Sequence, residues 1–201
     1  DPYDDPESWY LSRHDWSRTS PVMRGLLKFN STLAGRVLIG PALALYGFWR
    51  NDIRLARAGN REVVRAYVLH FAGLVPVLAL LVRADIPLWQ YVLLAAYPGM
   101  SVLMVRTFIE HHAREPVAER TAVIEAGPLM RLLFLNNNYH AVHHNHPYVS
   151  WYGLPGIWHR EKLETLRSNG AYHYPGGYLQ VALLWLLRRR EPVEHPFMRR
   201  D

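Results

Sequence analysis

Two apolar stretches without a formal charge constrain this sequence more than any other feature. Residues 66–82 read AYVLHFAGLVPVLALLV and residues 88–105 read LWQYVLLAAYPGMSVLMV. Each approaches the ~20 residues that a helix needs to cross the hydrocarbon core of a bilayer, and only RADIP lies between them. The pattern predicts an all-α fold with two transmembrane helices joined as a hairpin. The alternative is a pair of core helices in a soluble bundle, but such helices usually carry a polar stripe.

A third apolar stretch, residues 31–49, differs from these two because it contains Arg36 and is interrupted by Gly40 and Pro41. A cation at the bilayer centre costs about 2.5–3.5 kcal/mol on insertion scales, which disfavours a plain spanning helix. We therefore expect a membrane-interfacial or re-entrant helix whose arginine extends to the headgroup region.

The distribution of basic residues predicts an orientation in the membrane. The chain has a formal net charge of +6, and arginines are frequent just before residue 66 and just after residue 105, whereas the turn between the spans has Arg83 beside Asp85. Positively charged flanks usually remain in the cytoplasm. We therefore expect residues 106–201 to form a cytoplasmic, histidine-rich helical cap. The basic residues show no interleaving with aromatic residues, so no nucleic-acid partner is expected.

Histidines are concentrated after the second span. Residues 110–112 read EHH, and residues 136–146 read NNNYHAVHHNH. On a helix, His140, His143 and His144 lie at positions i, i+3 and i+4 and share one face. Convergent imidazoles are typical ligands of iron, copper, nickel or zinc. The two histidine-rich elements together predict a metal site.

The residue types also bear on which metal is bound. The chain has no cysteine, which excludes thiolate zinc sites and iron–sulfur clusters. A hydrolytic zinc site of the HExxH type needs a glutamate after its first histidine, and Ala141 stands there. Nitrogen ligands at a membrane–water boundary favour redox iron and oxygen chemistry, with copper as the alternative on ligand type.

The NNNYHAVHH run, preceded by EHH just after two apolar spans, resembles the second half of the membrane fatty acid desaturase superfamily. The opening DPYDDPE is similar to the acidic segment that follows the second histidine box of that family. The resemblance extends over essentially the whole chain, residues 1–201, as one partial desaturase-like domain.

The resemblance implies a set of site residues. The third histidine box and the E-H element would supply metal ligands, and neighbouring side chains would support them, with no catalytic residue beyond the ligands. The implied ligands are His111, His140, His143 and His144. The implied supporting residues are Glu110, His112, Asn137 and Asn138.

The resemblance also implies an activity. Intact relatives use a non-haem diiron centre, O2 and electrons from a donor such as ferredoxin or cytochrome b5 to desaturate a fatty acyl chain in the membrane. A lipid or carotenoid hydroxylase or ketolase of the same superfamily and a non-catalytic membrane remnant are the alternatives. The first two histidine boxes of the family would lie upstream of Asp1, so this chain is expected to be a C-terminal half with an incomplete diiron site.

Overall fold

The computed structural model describes residues 9–197, and these residues are mostly helical. The DPYDDPE segment, whose similarity to the desaturase superfamily was noted above, lies outside the described residues. Contacts between residues divide the chain into two compact units, residues 38–102 and a second unit formed by residues 1–37 and 103–201.

The elements before the histidine-rich region are helices. They are α1 (Arg13–Arg18), α2 (Pro21–Asn30), α3 (Leu33–Leu38), α4 (Gly40–Arg57), α5 (Arg61–Arg83), α6 (Leu88–Tyr91), a π-helical turn (Val92–Ala96) and α7 (Tyr97–Glu110). The later elements include two very short strands, which the sequence did not predict. They are a 3₁₀ turn (Val117–Arg120), β1 (Val123–Ile124), α8 (Pro128–Leu133), α9 (His140–Asn145), α10 (Leu154–Ser168), β2 (His173–Tyr174) and α11 (Gly177–Trp185).

Local sequence signals explain where several helices begin and end. Ser20 caps α2 by accepting a hydrogen bond from the Met23 amide, and Pro21 occupies the first turn, where a missing N–H is harmless. Asn60 caps α5 by accepting from the amides of residues 62 and 63. Gly59 has a φ of 84°, a left-handed conformation that glycine adopts without strain. This glycine separates α4 from α5.

The unit of residues 38–102 contains the first predicted span and most of the second. Two helices of the described residues, Arg61–Arg83 and Leu88–Glu110, are long and apolar enough to cross a membrane. They contain the predicted ranges 66–82 and 88–105, and the second one continues to Glu110. No residue of α5 is buried within the structure, so its apolar side chains face outward, as the side chains of a lipid-facing helix would. The predicted hairpin arrangement of the two helices remains a prediction.

The other unit is built around β1. Residues 122–124 are fully buried, and their side chains alternate between two apolar clusters, as the pleat of a strand requires. Ala122 and Ile124 pack with Phe108 of α7 and Val181 of α11. Val123 packs on the other side with a cluster whose members are Tyr139, Ala141, Val142, Leu154, Ile157 and Trp158. β1 pairs in parallel with β2, with Val123 opposite His173.

Two arginines contact partners from distant parts of the chain. Only 7% of Arg36 is exposed, and its guanidinium lies 4.6 Å from the ring centroid of Trp9. Arg190 donates to the carbonyl of His111 at 2.6 Å. The expected interfacial or re-entrant placement of residues 31–49, with Arg36 extending to the headgroup region, stays a prediction.

Candidate metal centre

The first histidine of the site comes from the end of a long helix. α7 ends at Glu110, which is fully buried, and His111 follows it directly. The backbone of residues 120–122 then runs beside this helix end: the Ala122 amide donates to the Glu110 carbonyl at 2.9 Å, and the His112 amide donates to the Arg120 carbonyl at 3.0 Å. These main-chain bonds fix the position at which the chain leaves α7.

The same backbone segment also positions the second histidine-bearing element. The Ala141 amide at the start of α9 donates to the Ala122 carbonyl at 3.1 Å, and the Ile124 amide donates to the Asn138 carbonyl at 2.8 Å. Residues 120–125, which we call the spacer segment, therefore hydrogen-bond to the end of α7 and to the start of α9. His111 and His140 face each other because the end of α7 and the start of α9 are both attached to this segment.

A tight turn brings the chain from α8 into α9. Leu135 and Asn136 both have left-handed backbone conformations, with φ values of 49° and 55°. Asn136 tolerates this geometry better than most residues, and its side chain accepts from Arg131 Nε at 3.0 Å and donates to the Trp151 carbonyl at 3.1 Å. For Leu135 the conformation is strained, and such strain is often found at functional sites.

Three imidazoles converge between α7 and α9. His111 Nε2 lies 2.7 Å from His140 Nε2, and His144 Nε2 lies 3.1 Å from the same atom. All three ligand atoms lie within 4.8 Å of one another. His140 is buried, His111 is half-buried and His144 is exposed. The site is thus closed on one side and accessible on the other.

His143, the fourth predicted ligand, is not part of this group. Its ring centroid lies 6.0 Å from that of His140 and 5.9 Å from that of His144, and the ligand atoms that converge are those of the other three. Its assignment as a ligand stays a prediction. His112, predicted as a supporting residue, points elsewhere: it stacks on Tyr172 with ring centroids 3.8 Å apart and donates from Nε2 to the Glu119 carbonyl at 2.7 Å.

Asn137 orients the central histidine. Its Oδ1 lies 3.3 Å from His140 Nδ1, and its Nδ2 donates to Glu110 Oε1 at 3.1 Å. The carboxylate can only accept, so it fixes which end of the amide faces His140. His140 Nδ1 must then donate, and the lone pair lies on Nε2, which points at the other two histidines. Glu110 in turn forms an ion pair with Arg106, one turn earlier on α7, at 3.3 Å.

Asn138, the other predicted supporting asparagine, has a different role. It is fully buried, and its Nδ2 donates to the Ile124 carbonyl at 2.6 Å. This bond reinforces the main-chain bond between the same two residues. Asn138 therefore attaches α9 to the spacer segment, and its side chain makes no hydrogen bond to a predicted ligand among the described residues.

Burial keeps the central histidine neutral. Desolvation lowers the pKa of His140 to about 2, and the neighbouring histidines His111, His144 and His143, together with Arg106, add to the effect. Burial likewise lowers the pKa of His112 to about 4, against the hydrogen bond to the Glu119 carbonyl, which favours its charged form. A neutral imidazole has the free lone pair that a metal ligand needs.

The chemistry of the donor set and two of its three spacings fit one metal ion. Two nitrogens that each lie about 2.1 Å from one ion, at right angles to each other, are about 3.0 Å apart, and the observed separations from His140 Nε2 are 2.7 and 3.1 Å. The hydrogen bond from Nδ1 to Asn137 is the kind of contact that sets the tautomer of a ligating histidine. The group His111, His140 and His144 is the one such set among residues 9–197.

Arg106 is the site residue that the sequence analysis missed. Its signal was present, because Arg106 and Glu110 are four residues apart on one helix and such pairs face each other. The arginine was assigned instead to the basic flank of the second span. Its ion pair with a carboxylate that also binds Asn137 makes it part of the support of His140.

Comparison with known protein families identifies the class of protein. The family model described as fatty acid desaturase matches residues 1–176, so the chain belongs to the fatty acid desaturase family. A search of the curated proteins and a search of the solved structures found no match.

Proposed function

We propose that this protein takes part in the O2-dependent desaturation of fatty acyl chains at a non-haem iron held by its histidines. The observation that carries the proposal is the convergence of His111, His140 and His144 within 4.8 Å in a chain of the fatty acid desaturase family. An iron bound there would supply the activation of O2 that the removal of hydrogen from an acyl methylene requires.

The residues around the iron have distinct roles in this proposal. His111, His140 and His144 bind the metal through Nε2, and Asn137 holds His140 in the tautomer that exposes this atom. Glu110 and Arg106 hold Asn137 in place in turn. The exposed side of the site, at His144, is where substrate and O2 would approach.

The proposal covers one iron per histidine group. Three nitrogen ligands leave open positions on a six-coordinate ion, as non-haem oxygenases require. Within residues 9–197 these three residues are the one group able to hold a metal, so a second iron would need ligands from outside the described residues. His143 is the nearest additional donor on the same helix.

The same family membership and the distribution of charge support a placement in the membrane. Two helices are suited to cross a bilayer, and a fatty acyl substrate dissolves in that bilayer. We propose that the histidine-rich residues 106–201 face the cytoplasm, because arginines precede the first span and follow the second. An external electron donor such as ferredoxin or cytochrome b5 would then reach the site from this side.

Iron content tests the proposal directly. The full chain is purified in a neutral detergent, loaded anaerobically with Fe(II), desalted and analysed for bound metal. We expect about one iron per chain, because three histidines fill half of a six-coordinate shell. Replacing His111, His140 or His144 by alanine is expected to abolish retention of iron. His159→Ala, which removes an exposed histidine of α10, is the matched control and should retain wild-type iron.

The variant His143→Ala separates the two assignments for that residue. Iron retention equal to wild type would show that His143 is not a ligand, and loss of iron would make it one. The function is tested by mass spectrometry of the lipids of cells that express the gene. New double bonds that depend on His140 support desaturation. Iron bound equally well by the wild type and all three alanine variants would refute the proposed site.

A further inference from the structure

A recess beside the metal centre contains a buried positive charge. It has a cavity volume of about 30 Å³ and lies within the unit formed by residues 1–37 and 103–201. Its walls combine aromatic rings, two arginines, one carboxylate and one of the proposed iron ligands. They include Trp9, Arg36, Phe108, His111, Arg190 and Glu191.

Arg36 is the unusual member of this set. Only 7% of it is exposed, and its guanidinium carbon lies 4.6 Å from the ring centroid of Trp9 and 5.8 Å from that of Phe108. Its Nε donates to the Asn30 carbonyl at 3.2 Å. Among residues 9–197 no carboxylate lies within ion-pair distance of Arg36, and its two Nη groups have no acceptor. A buried cation without a counter-ion is unfavourable.

The other charged groups of the recess do not neutralise Arg36. Arg190 donates to Glu191 Oε2 at 3.0 Å and to the His111 carbonyl at 2.6 Å, and Glu191 also accepts from the Tyr10 hydroxyl. The one carboxylate among the wall residues named above is thus used by Arg190. Burial and repulsion from Arg190 lower the pKa of Arg36 to about 9, which agrees with a shortage of negative charge around it.

We propose that this recess binds a single oxyanion, a carboxylate or a phosphate, through the guanidinium of Arg36. The planar guanidinium presents parallel N–H donors that match the two oxygens of such a group. The anion would supply the counter-charge and the acceptors that the two Nη groups lack. Because His111 also lines the recess, the anionic end of the bound molecule would lie next to the metal centre.

The site does not require the metal, so the inference goes beyond the proposed function and can be tested without iron. Two sources offer the same chemistry: an anionic group attached to an acyl chain, or a free inorganic anion. Water-soluble probes distinguish them. Hexanoate and hexyl phosphate carry the anion on a short chain, inorganic phosphate has no chain, and hexanol has the chain without the charge.

The affinity of these four probes is measured by ligand-observed NMR on the full chain, in neutral detergent with a chelator present. We expect the anionic probes to bind and hexanol not to compete with them. Arg36→Gln should weaken anion binding about tenfold or more, because a hydrogen-bonded charge pair is lost. Arg24→Gln is the matched control, since Arg24 also lies over a tryptophan, Trp16, at 5.3 Å but does not line the recess.

The results show which kind of anion the recess binds and whether the inference holds. Binding of inorganic phosphate assigns a site for free anions, whereas binding of hexanoate or hexyl phosphate alone assigns a site for the head of an acyl compound. Arg36→Lys keeps the charge and removes the planar fork; it should weaken binding several-fold and decides the question if Arg36→Gln does not fold. No anion binding, or binding unchanged in these Arg36 variants, would overturn the inference and leave the iron proposal intact.

Discussion

Asn137 shows how one side chain can determine the chemistry of another. Its amide lies between the carboxylate of Glu110 and the ring of His140, and because only one orientation of the amide satisfies both neighbours, it sets the tautomer of the histidine. Asn137 and Glu110 are both among the supporting residues that the family resemblance implies. The structure supplies the physical reason: an ion pair joins Arg106 to Glu110, and hydrogen bonds continue from Glu110 through Asn137 to His140 Nδ1.

This arrangement predicts a large effect of a small substitution. Asn137→Ala removes the acceptor of His140 Nδ1, so the ring is free to rotate or to carry its proton on Nε2, and iron affinity should fall about 10- to 100-fold. Competitive titration against a chromogenic iron chelator measures this. Asn145→Ala, at the exposed end of the same helix, should leave the affinity unchanged, and an equal loss in both variants would contradict the assigned role.

Among the helices, α2 and α3 approach each other closely at Gly35. A Cβ atom built on Gly35 of α3 would lie 1.9 Å from the carbonyl oxygen of Phe29 in α2. The two helices are thus in backbone contact at this glycine. α3 also contains Arg36, so the contact helps to fix the position of the buried guanidinium.

Adding one methyl group at Gly35 should therefore be strongly destabilising. We expect Gly35→Ala to lower the free energy of unfolding by about 1–3 kcal/mol or more, because the clash is with main-chain atoms that can move only if a helix moves. Gly25→Ala, in α2 with nothing within 4 Å of the added atom, should raise it by about 0.5–1 kcal/mol through helix propensity. Chemical unfolding in detergent, followed by circular dichroism, compares the two. Similar stabilities of the two variants would show that α2 and α3 separate easily.

Helices were more predictable from sequence than the contacts between distant segments. The apolar runs predicted the two long helices, and the spacing of His140 and His144 predicted a shared helix face, because both signals are local and periodic. The two-residue strands and the burial of Arg36 depend on partners far away in the chain, such as Tyr172 and Trp9. No local pattern carries that information. Helix periodicity also places His143 on the face of His140 and His144, but a helix face is wide. Tertiary packing selects which of its residues converge, and His143 is not among them.

For the whole molecule, the distribution of apolar surface is the main physical property. α5 has no buried residue, and Val75 in its middle is 62% exposed. Such a surface is stable in a bilayer and not in water. Val117 is similarly exposed, at 69%, but it lies in a 3₁₀ turn of the histidine-bearing unit.

These two valines give a matched test of membrane insertion. Val75→Arg should reduce the inserted fraction, because an arginine near the middle of a spanning helix costs about 2.5–3.5 kcal/mol on insertion scales. Val117→Arg adds the same side chain at a position of similar exposure and should have little effect. Extraction of membranes at alkaline pH measures the inserted fraction of each. Equal extraction of both variants would argue against α5 as a spanning helix.

The spacer segment has a consequence for how this protein tolerates change over time. Its bonds to the end of α7 and the start of α9 join main-chain amides and carbonyls, groups that every residue except proline carries in full. Sequence drift in residues 120–125 is therefore limited by size and packing rather than by chemical identity. The distance between the two histidine-bearing helices would be maintained even where the side chains of residues 120–125 change.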